Sequence, residues 1–225
     1  MKLSRGKLVG TLLVWVLAIV LCRGRFDIAV AEWAHAREHT ALKTVSDSVG
    51  KLGLSTWWLV GSVLLWFAGR NLVKRPLLAE KAKLVFLALI VSGLISIAAK
   101  LVFGEARPRE YFDGGAYGFH WFVSPRAHHM QGFPSGHTTT VFALGTSFAL
   151  LWPRCWSLAL AVAVTVGMSR IGNAYHFPSD VLAGALLGTS VAYFLYRRMQ
   201  AGKKGLAKPS EAGNHTPPAT SRGEA

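Results

Sequence analysis

Six apolar runs, at roughly residues 8–22, 54–69, 84–103, 138–152, 156–168 and 181–196, constrain this chain more than any other feature. Each reads as a membrane-spanning helix. Several are shorter than the ~20 residues that cross a bilayer comfortably, so their ends must run into polar flanks or the bilayer must thin around them. Composition agrees: of 225 residues 52% are hydrophobic and 16% charged, against roughly 25% charged in an ordinary soluble protein, and the mean hydropathy is +0.34. Pro153 and Arg154 form a tight turn that makes the fourth and fifth helices a hairpin. The expected architecture is all-α, a six-transmembrane helical bundle with an extramembrane loop between helices 3 and 4.

The first run has the basic flank of a secretory signal, Lys2, Arg5 and Lys7, and Ala29-Val30-Ala31 resembles a cleavage site. Arg23, Arg25 and Asp27 separate that site from the apolar run, so retention as a first helix is preferred. With the N-terminus inside, fifteen of the twenty-five Lys and Arg fall on inner segments, which places both termini in the cytoplasm. Residues 26–50 carry Trp33, Leu42, Val45 and Val49 among charges, and read either as a helix on the outer surface or as a solvated loop. Residues 1–196 are expected to form one integral membrane domain. Residues 197–225, rich in Lys, Gly, Pro, Ser and Thr, read as a basic, disordered cytoplasmic tail held near anionic head groups. Cys22 and Cys155 fit neither a disulfide framework nor a metal spacing.

The net charge of +14 is compatible with nucleic acid, an anionic membrane surface or an anionic substrate, and position decides among them. Three polar clusters stand where a bilayer protein has little reason to place them. Lys100 to Pro108 closes the third helix, Pro134-Ser135-Gly136-His137 opens the fourth, and Ser169-Arg170 ends the fifth ahead of His176 and Asp180. On the topology above, all three lie on the outer face. Lys100, Arg107 and Arg170 there offer forked and point-charge donors for a phosphate-like oxyanion. Ser135 and Gly136 add the anion cradle of a helix start. No basic recognition helix is present, so nucleic acid is not the partner.

His176 and Asp180, four residues apart across Pro178, can meet on one turn. A carboxylate holding one imidazole nitrogen leaves the other free to attack phosphorus. His137 is then placed to protonate the leaving oxygen and later to activate water. The cations stabilise the transferring group, so no metal and no cofactor is required, and no carboxylate cage for magnesium is evident. Taken singly, each residue has a plainer reading as a snorkelling lysine, an interfacial arginine, a helix cap or a packed imidazole. Their joint arrangement favours the catalytic one.

These three clusters resemble the signature of the type 2 phosphatidic acid phosphatase and vanadium haloperoxidase superfamily. The pattern is Lys, six residues, Arg-Pro; then Pro-Ser-Gly-His; then Ser-Arg, five residues, His, three residues, Asp, and it runs here from Lys100 to Pro108, Pro134 to His137 and Ser169 to Asp180. The resemblance covers about residues 80–196, the expected catalytic core. It implies a six-helix, metal-independent membrane phosphatase with His176 as nucleophile, Asp180 orienting it and His137 as acid. It also implies phosphate binding by Lys100, Arg107, Ser135, Gly136 and Arg170.

A site at the membrane interface beside Phe119, Trp121 and Phe122 favours a lipid phosphate or pyrophosphate, hydrolysed through a phosphohistidine in the inner (plasma) membrane with the site on the extracytoplasmic face. Undecaprenyl pyrophosphate, phosphatidylglycerol phosphate, phosphatidate and the 1-phosphate of lipid A all satisfy this. Arg109, His120, Arg126, His128 and His129, within residues 109–133, read as contacts to a larger head group or as a solvated lid. Three other readings stand beside hydrolysis: transfer to a lipid acceptor through the same phosphohistidine, haloperoxidase chemistry on bound vanadate, and a non-catalytic lipid-phosphate carrier. No obligate protein partner is implied.

Overall fold

The computed structural model describes residues 5–206. Among them the chain is helical with no strand, only an isolated bridge between Glu105 and Phe119. The helices are α1 (Arg5–Arg25), α2 (Asp27–His35), α3 (Ala41–Gly50), α4 (Ser55–Phe67), α5 (Pro76–Phe103), α6 (Pro108–Gly114), α7 (Gly136–Leu151), α8 (Trp156–Gly172) and α9 (Pro178–Leu206). A π-helical turn over Ala68–Leu72 continues α4.

Four segments are long and apolar enough to cross a membrane: Ala41–Leu72, Pro76–Phe103, Pro153–Gly172 and Pro178–Lys203. The helices on the first and fourth apolar runs, α1 and α7, lie outside that set. At 16 residues α7 spans only about 24 Å.

The large apolar side chains point outward, as for Leu13, Val14, Trp57, Leu64, Leu94 and Leu158, while the interior is built from Ala88, Ala143, Ala163, Ala192, Ser92 and Ser147. That inversion suits hydrocarbon surroundings, where lipid is as apolar as leucine and small residues let helices approach. Gly184 and Gly188 of α9 make the point. A Cβ at Gly184 would stand 2.6 Å from the Ser135 carbonyl oxygen, and one at Gly188 would collide with the Thr139 carbonyl. Helix α7 is therefore pressed backbone to backbone on α9, with α5 and α8 on its other sides.

Contacts fix the helix directions. Arg23, Gly53, Lys100, Arg170 and the starts of α7 and α9 gather at one end, while Lys81 reaches the Leu151 carbonyl (3.4 Å) and Lys203 pairs with Glu80 (2.6 Å) at the other. The turn Pro153–Cys155 joins α7 to α8 as an antiparallel pair.

Residues 26–50 fold as two helices, with α3 against α8. The segment after α6 is a packed cap. Its N–H groups at His120, Phe122 and Val123 donate to the Phe103, Val102 and Leu101 carbonyls, supplying the partners that a helix C-terminus lacks. Gly104 makes this possible: its φ of +58° ends α5, and a Cβ there would meet Val123 at 2.5 Å. At the other terminus α9 runs on to Leu206, ten residues past the domain boundary read from composition, and residues 207–225 of the expected tail lie outside the described residues.

Candidate active site

Two helix N-termini and two helix C-termini meet at one end of the bundle. The starts of α7 and α9 are tied by the Ser135 N–H, which donates to the Asp180 carbonyl (3.0 Å). Lys100 comes from the last turn of α5 and Arg170 from the last turn of α8. Arg107 precedes α6, where its N–H donates to the His129 carbonyl (3.1 Å).

His176 lies in the α8–α9 connection, its N–H on the Arg170 carbonyl (3.1 Å) and its ring 4% exposed with the rest of the residue. Its Nδ1 is 3.5 Å from Oδ2 of Asp180, a long contact, and makes no shorter polar contact. Asp180 is fully buried. Oδ2 accepts from the Phe177 N–H (2.9 Å), which shapes the turn into α9, and Oδ1 has no partner. The imidazole is held well below the usual histidine range, first by burial and then by the charges of Lys100, Arg107, Arg170 and His137 around it. It is therefore neutral at pH 7, with one nitrogen turned toward Asp180.

The predicted residues come together. The Lys100 ammonium bonds the Gln131 carbonyl (2.6 Å), and its Cε would lie 3.8 Å from a Cβ at Gly136. Arg170, 6% exposed, stacks beside the Tyr175 ring (4.8 Å), and the Nε atoms of both Arg107 and Arg170 are buried without a partner. Spare donors of this kind suit an oxyanion. Ser135 is buried and precedes α7 as expected, but its hydroxyl does not cap the helix; it accepts from the Thr138 hydroxyl (3.0 Å). The N–H groups that open α7 thus have no side-chain cap. The extra cations of the loop are not drawn in: Arg109 pairs with Asp113 (3.2 Å), and His120, Arg126, His128 and His129 are exposed.

Below the cluster a cavity of about 330 Å³ descends between α4, α5 and α7, from Lys100, Gly136 and His137 past Ile97 and Leu94 to Leu89. Ile97 and Leu94 are more than half exposed, so the cavity opens sideways where bilayer would lie. Among the described residues no group of three or more His, Cys, Asp or Glu side chains is placed to hold a metal ion.

Sequence reading missed the groups that hold this cluster. Buried Asp27, at the start of α2, accepts from the Ser179 N–H (2.9 Å) and from the Ser179 hydroxyl. Burial pushes its carboxyl up, and the Ser179 bonds pull it back. Asp47 of α3 accepts from Asn173 (3.0 Å). His176 thus sits midway between two anchored residues. Gly50 and Gly53 admit the site side chains: a Cβ at Gly50 would stand 2.5 Å from an Arg170 nitrogen, and one at Gly53 2.8 Å from the His137 Cβ. Glu105, wholly buried, pairs with Arg23 (2.8 Å). The Tyr117 hydroxyl donates to the Arg23 carbonyl (2.9 Å) and is pushed up to about 12 by burial and the nearby Asp27. An acid in the otherwise apolar stretch Asp27-Ile-Ala-Val-Ala was the one available signal.

The sequence profile of the PAP2 superfamily matches residues 81–204. The chain is 34% identical over 187 residues to a lipid A 1-phosphatase of Rhizobium etli, covering 79% of this chain and 78% of that protein. It is 27% identical over 173 residues to an undecaprenyl-diphosphatase of Sulfolobus acidocaldarius, covering 75% and 76%. Among solved structures, the crystal structure of Aquifex aeolicus LpxE superposes with a TM-score of 0.57 at 23% identity, covering 76% of this chain and 94% of that one.

Proposed function

Because the chain belongs to the PAP2 superfamily, we propose that it is a membrane-embedded phosphatase that hydrolyses a lipid phosphate through a phosphohistidine. The observation that carries this reading is a buried His176 turned toward Asp180 and under the charge of Lys100, Arg107 and Arg170, beside a largely apolar cavity that Lys100 and His137 head and that opens to the side. The cations take the phosphate and the cavity takes the lipid. The long extent of the match to a lipid A 1-phosphatase supports a lipid substrate as well.

In the first step the free nitrogen of His176 attacks phosphorus and the bond from phosphorus to the lipid oxygen breaks. A bound phosphate dianion offsets the surrounding cations and lets His137 hold the proton that it gives to that oxygen. In the second step neutral His137 takes a proton from water, whose oxygen attacks phosphorus; the P–N bond breaks, and inorganic phosphate and His176 are released. Lys100, Arg107, Arg170 and the N–H groups opening α7 stabilise the charge on the equatorial oxygens in both steps, so the chemistry needs no metal. Asp180 keeps the imidazole oriented and stabilises the positive charge it gains.

Six helices, α1, α4, α5, α7, α8 and α9, alternate in direction and make six crossings. The end away from the site carries Arg70, Lys74, Arg75, Lys81, Lys83, Arg154, Arg197, Arg198 and Lys203, which supports a cytoplasmic position for that end and an extracytoplasmic site. Purified protein in detergent with a chelator is expected to release inorganic phosphate from lipid phosphates, and His176→Ala to abolish release. Undiminished release by that variant removes the nucleophile assignment, and dependence of the wild type on added metal removes the metal-free mechanism.

A further inference from the structure

The cavity below the phosphate cluster is apolar except for a few groups, and one of them stands out. Ser96 of α5 lines it, is 2% exposed, and its hydroxyl has no hydrogen-bond partner. Serines elsewhere in these helices resolve the same problem locally. Ser92 donates to the Ala88 carbonyl (2.6 Å), Ser147 to Ala143 (2.7 Å), Ser62 to Leu59 (2.8 Å) and Ser169 to Val166 (2.7 Å). That back-bonding is the ordinary fate of a helix serine away from water. Ser96, one turn after Ser92 on the same helix, does not take it, and an unpaired hydroxyl in apolar surroundings is costly.

Its position suggests what satisfies it. Ser96 precedes Lys100 by four residues, so both share one face of α5 and are separated by about 6 Å along the axis. A lipid whose phosphate reaches Lys100 and whose chain descends the cavity passes Ser96 a few bonds beyond phosphorus. In a prenyl phosphate that part of the molecule is hydrocarbon, with nothing for a hydroxyl to donate to. In an acylated glycerol phosphate or an N-acylated amino-sugar phosphate it carries an ester or amide carbonyl, a good acceptor.

Resting on the phosphatase reading above, we propose that Ser96 recognises the first acyl carbonyl of the substrate, so that this site takes acyl-lipid phosphates in preference to prenyl phosphates. The effect is one of specificity: a site that offers a buried polar group discriminates against the analogue that leaves it unpaired. The loss falls on the carbonyl-free lipid, whose binding must strand the hydroxyl.

Two lipids that differ only at the point in question provide the test: a diacylglycerol phosphate and its dialkyl ether analogue of the same chain length, which lacks both carbonyls. With wild-type protein in detergent, kcat/KM is expected to favour the diacyl lipid by about five- to tenfold, the worth of one hydrogen bond, with a prenyl phosphate grouped with the ether. In Ser96→Ala the diacyl-to-ether ratio is expected to fall to about one. A wild-type ratio near one overturns the proposal without reference to any variant, and so does a ratio that Ser96→Ala leaves unchanged. Failure of the wild type to hydrolyse any of the three lipids defeats the phosphatase reading itself and is distinct from both.

Discussion

The helices that carry the phosphate cluster and the short segment that leans on them differ in how their polar groups are satisfied. On α7, α8, α9 and their connections the polar atoms are left partly unmatched: Arg170 Nε, His176 Nδ1 and Asp180 Oδ1 have no partner, and neither has Arg107 Nε before α6. On α2 and α3 the acids are matched, Asp27 by two donors of Ser179 and Asp47 by Asn173. Unmatched buried groups store free energy that a ligand can release, whereas matched ones hold geometry. On the proposed reading the reacting work falls to one region and the positioning of it to the other, and rate then separates from stability in a way that substitution can break.

The largest expected effect is on the reacting side. Asp180→Asn keeps the shape of the buried turn and removes the carboxylate proposed to orient and stabilise His176. By analogy with the orienting acid of other nucleophilic sites, kcat should fall by about 10³- to 10⁴-fold, while the midpoint of thermal unfolding in detergent should move by no more than a few degrees. A variant that unfolds well below the wild type, with rate loss in proportion, shows Asp180 to be a holding group like Asp27.

On the holding side the balance reverses. Asp27→Asn retains the volume but turns an acceptor oxygen into a donor facing the Ser179 N–H or hydroxyl. The mismatch is expected to cost about 1–3 kcal/mol, seen as a thermal midpoint lowered by several degrees. Because Ser179 adjoins Asp180, kcat should drop about tenfold with KM nearly unchanged. Ser179→Ala, which removes only the hydroxyl, is expected to show a smaller loss of the same kind. A fall in KM affinity without a fall in kcat places Asp27 in substrate binding and removes it from positioning.

Why one region was legible in the sequence and the other was not follows from the same distinction. Lys100, Arg107, Ser135, Gly136, His137, Arg170, His176 and Asp180 announce themselves because their spacings are local, three residues between His176 and Asp180 and a single turn around Ser135. Asp27 meets its partner 152 residues away and Asp47 meets its own 126 away, and no local spacing records such a pairing. In sequence, Asp27 and Asp47 are ordinary charges offsetting Arg23, Arg25 and Lys43. The loop over residues 109–133 was ambiguous for another reason: its order depends on the α5 carbonyls at Leu101, Val102 and Phe103, which no periodicity within the loop reveals. After Tyr196 composition changes while helix propensity does not. Arg197, Arg198, Met199, Gln200 and Ala201 are good helix formers, so α9 continues although its surroundings have become polar.

The smallest expected effect is a pH dependence that isolates His176 from the acids beneath it. Its imidazole is lowered in the folded protein by burial and by Lys100, Arg107, Arg170 and His137, relative to an ordinary value of 6.5. Above pH 6.5 the ring is neutral in folded and unfolded chains alike and contributes no pH dependence. Below it the unfolded chain takes up a proton that the folded chain refuses, so stability declines as pH falls. The same shift keeps the proposed nucleophile unprotonated in the free enzyme, and the acid limb of kcat/KM attributable to it should therefore lie below pH 6.5. Replacing Arg170 by Gln removes one of the cations and should move that limb upward, toward the ordinary value, in addition to weakening phosphate binding. An acid limb that stays in place when Arg170 is neutralised means that the charge ring does not set the state of His176, and the contrast between unmatched cations and matched acids then has no bearing on the reaction.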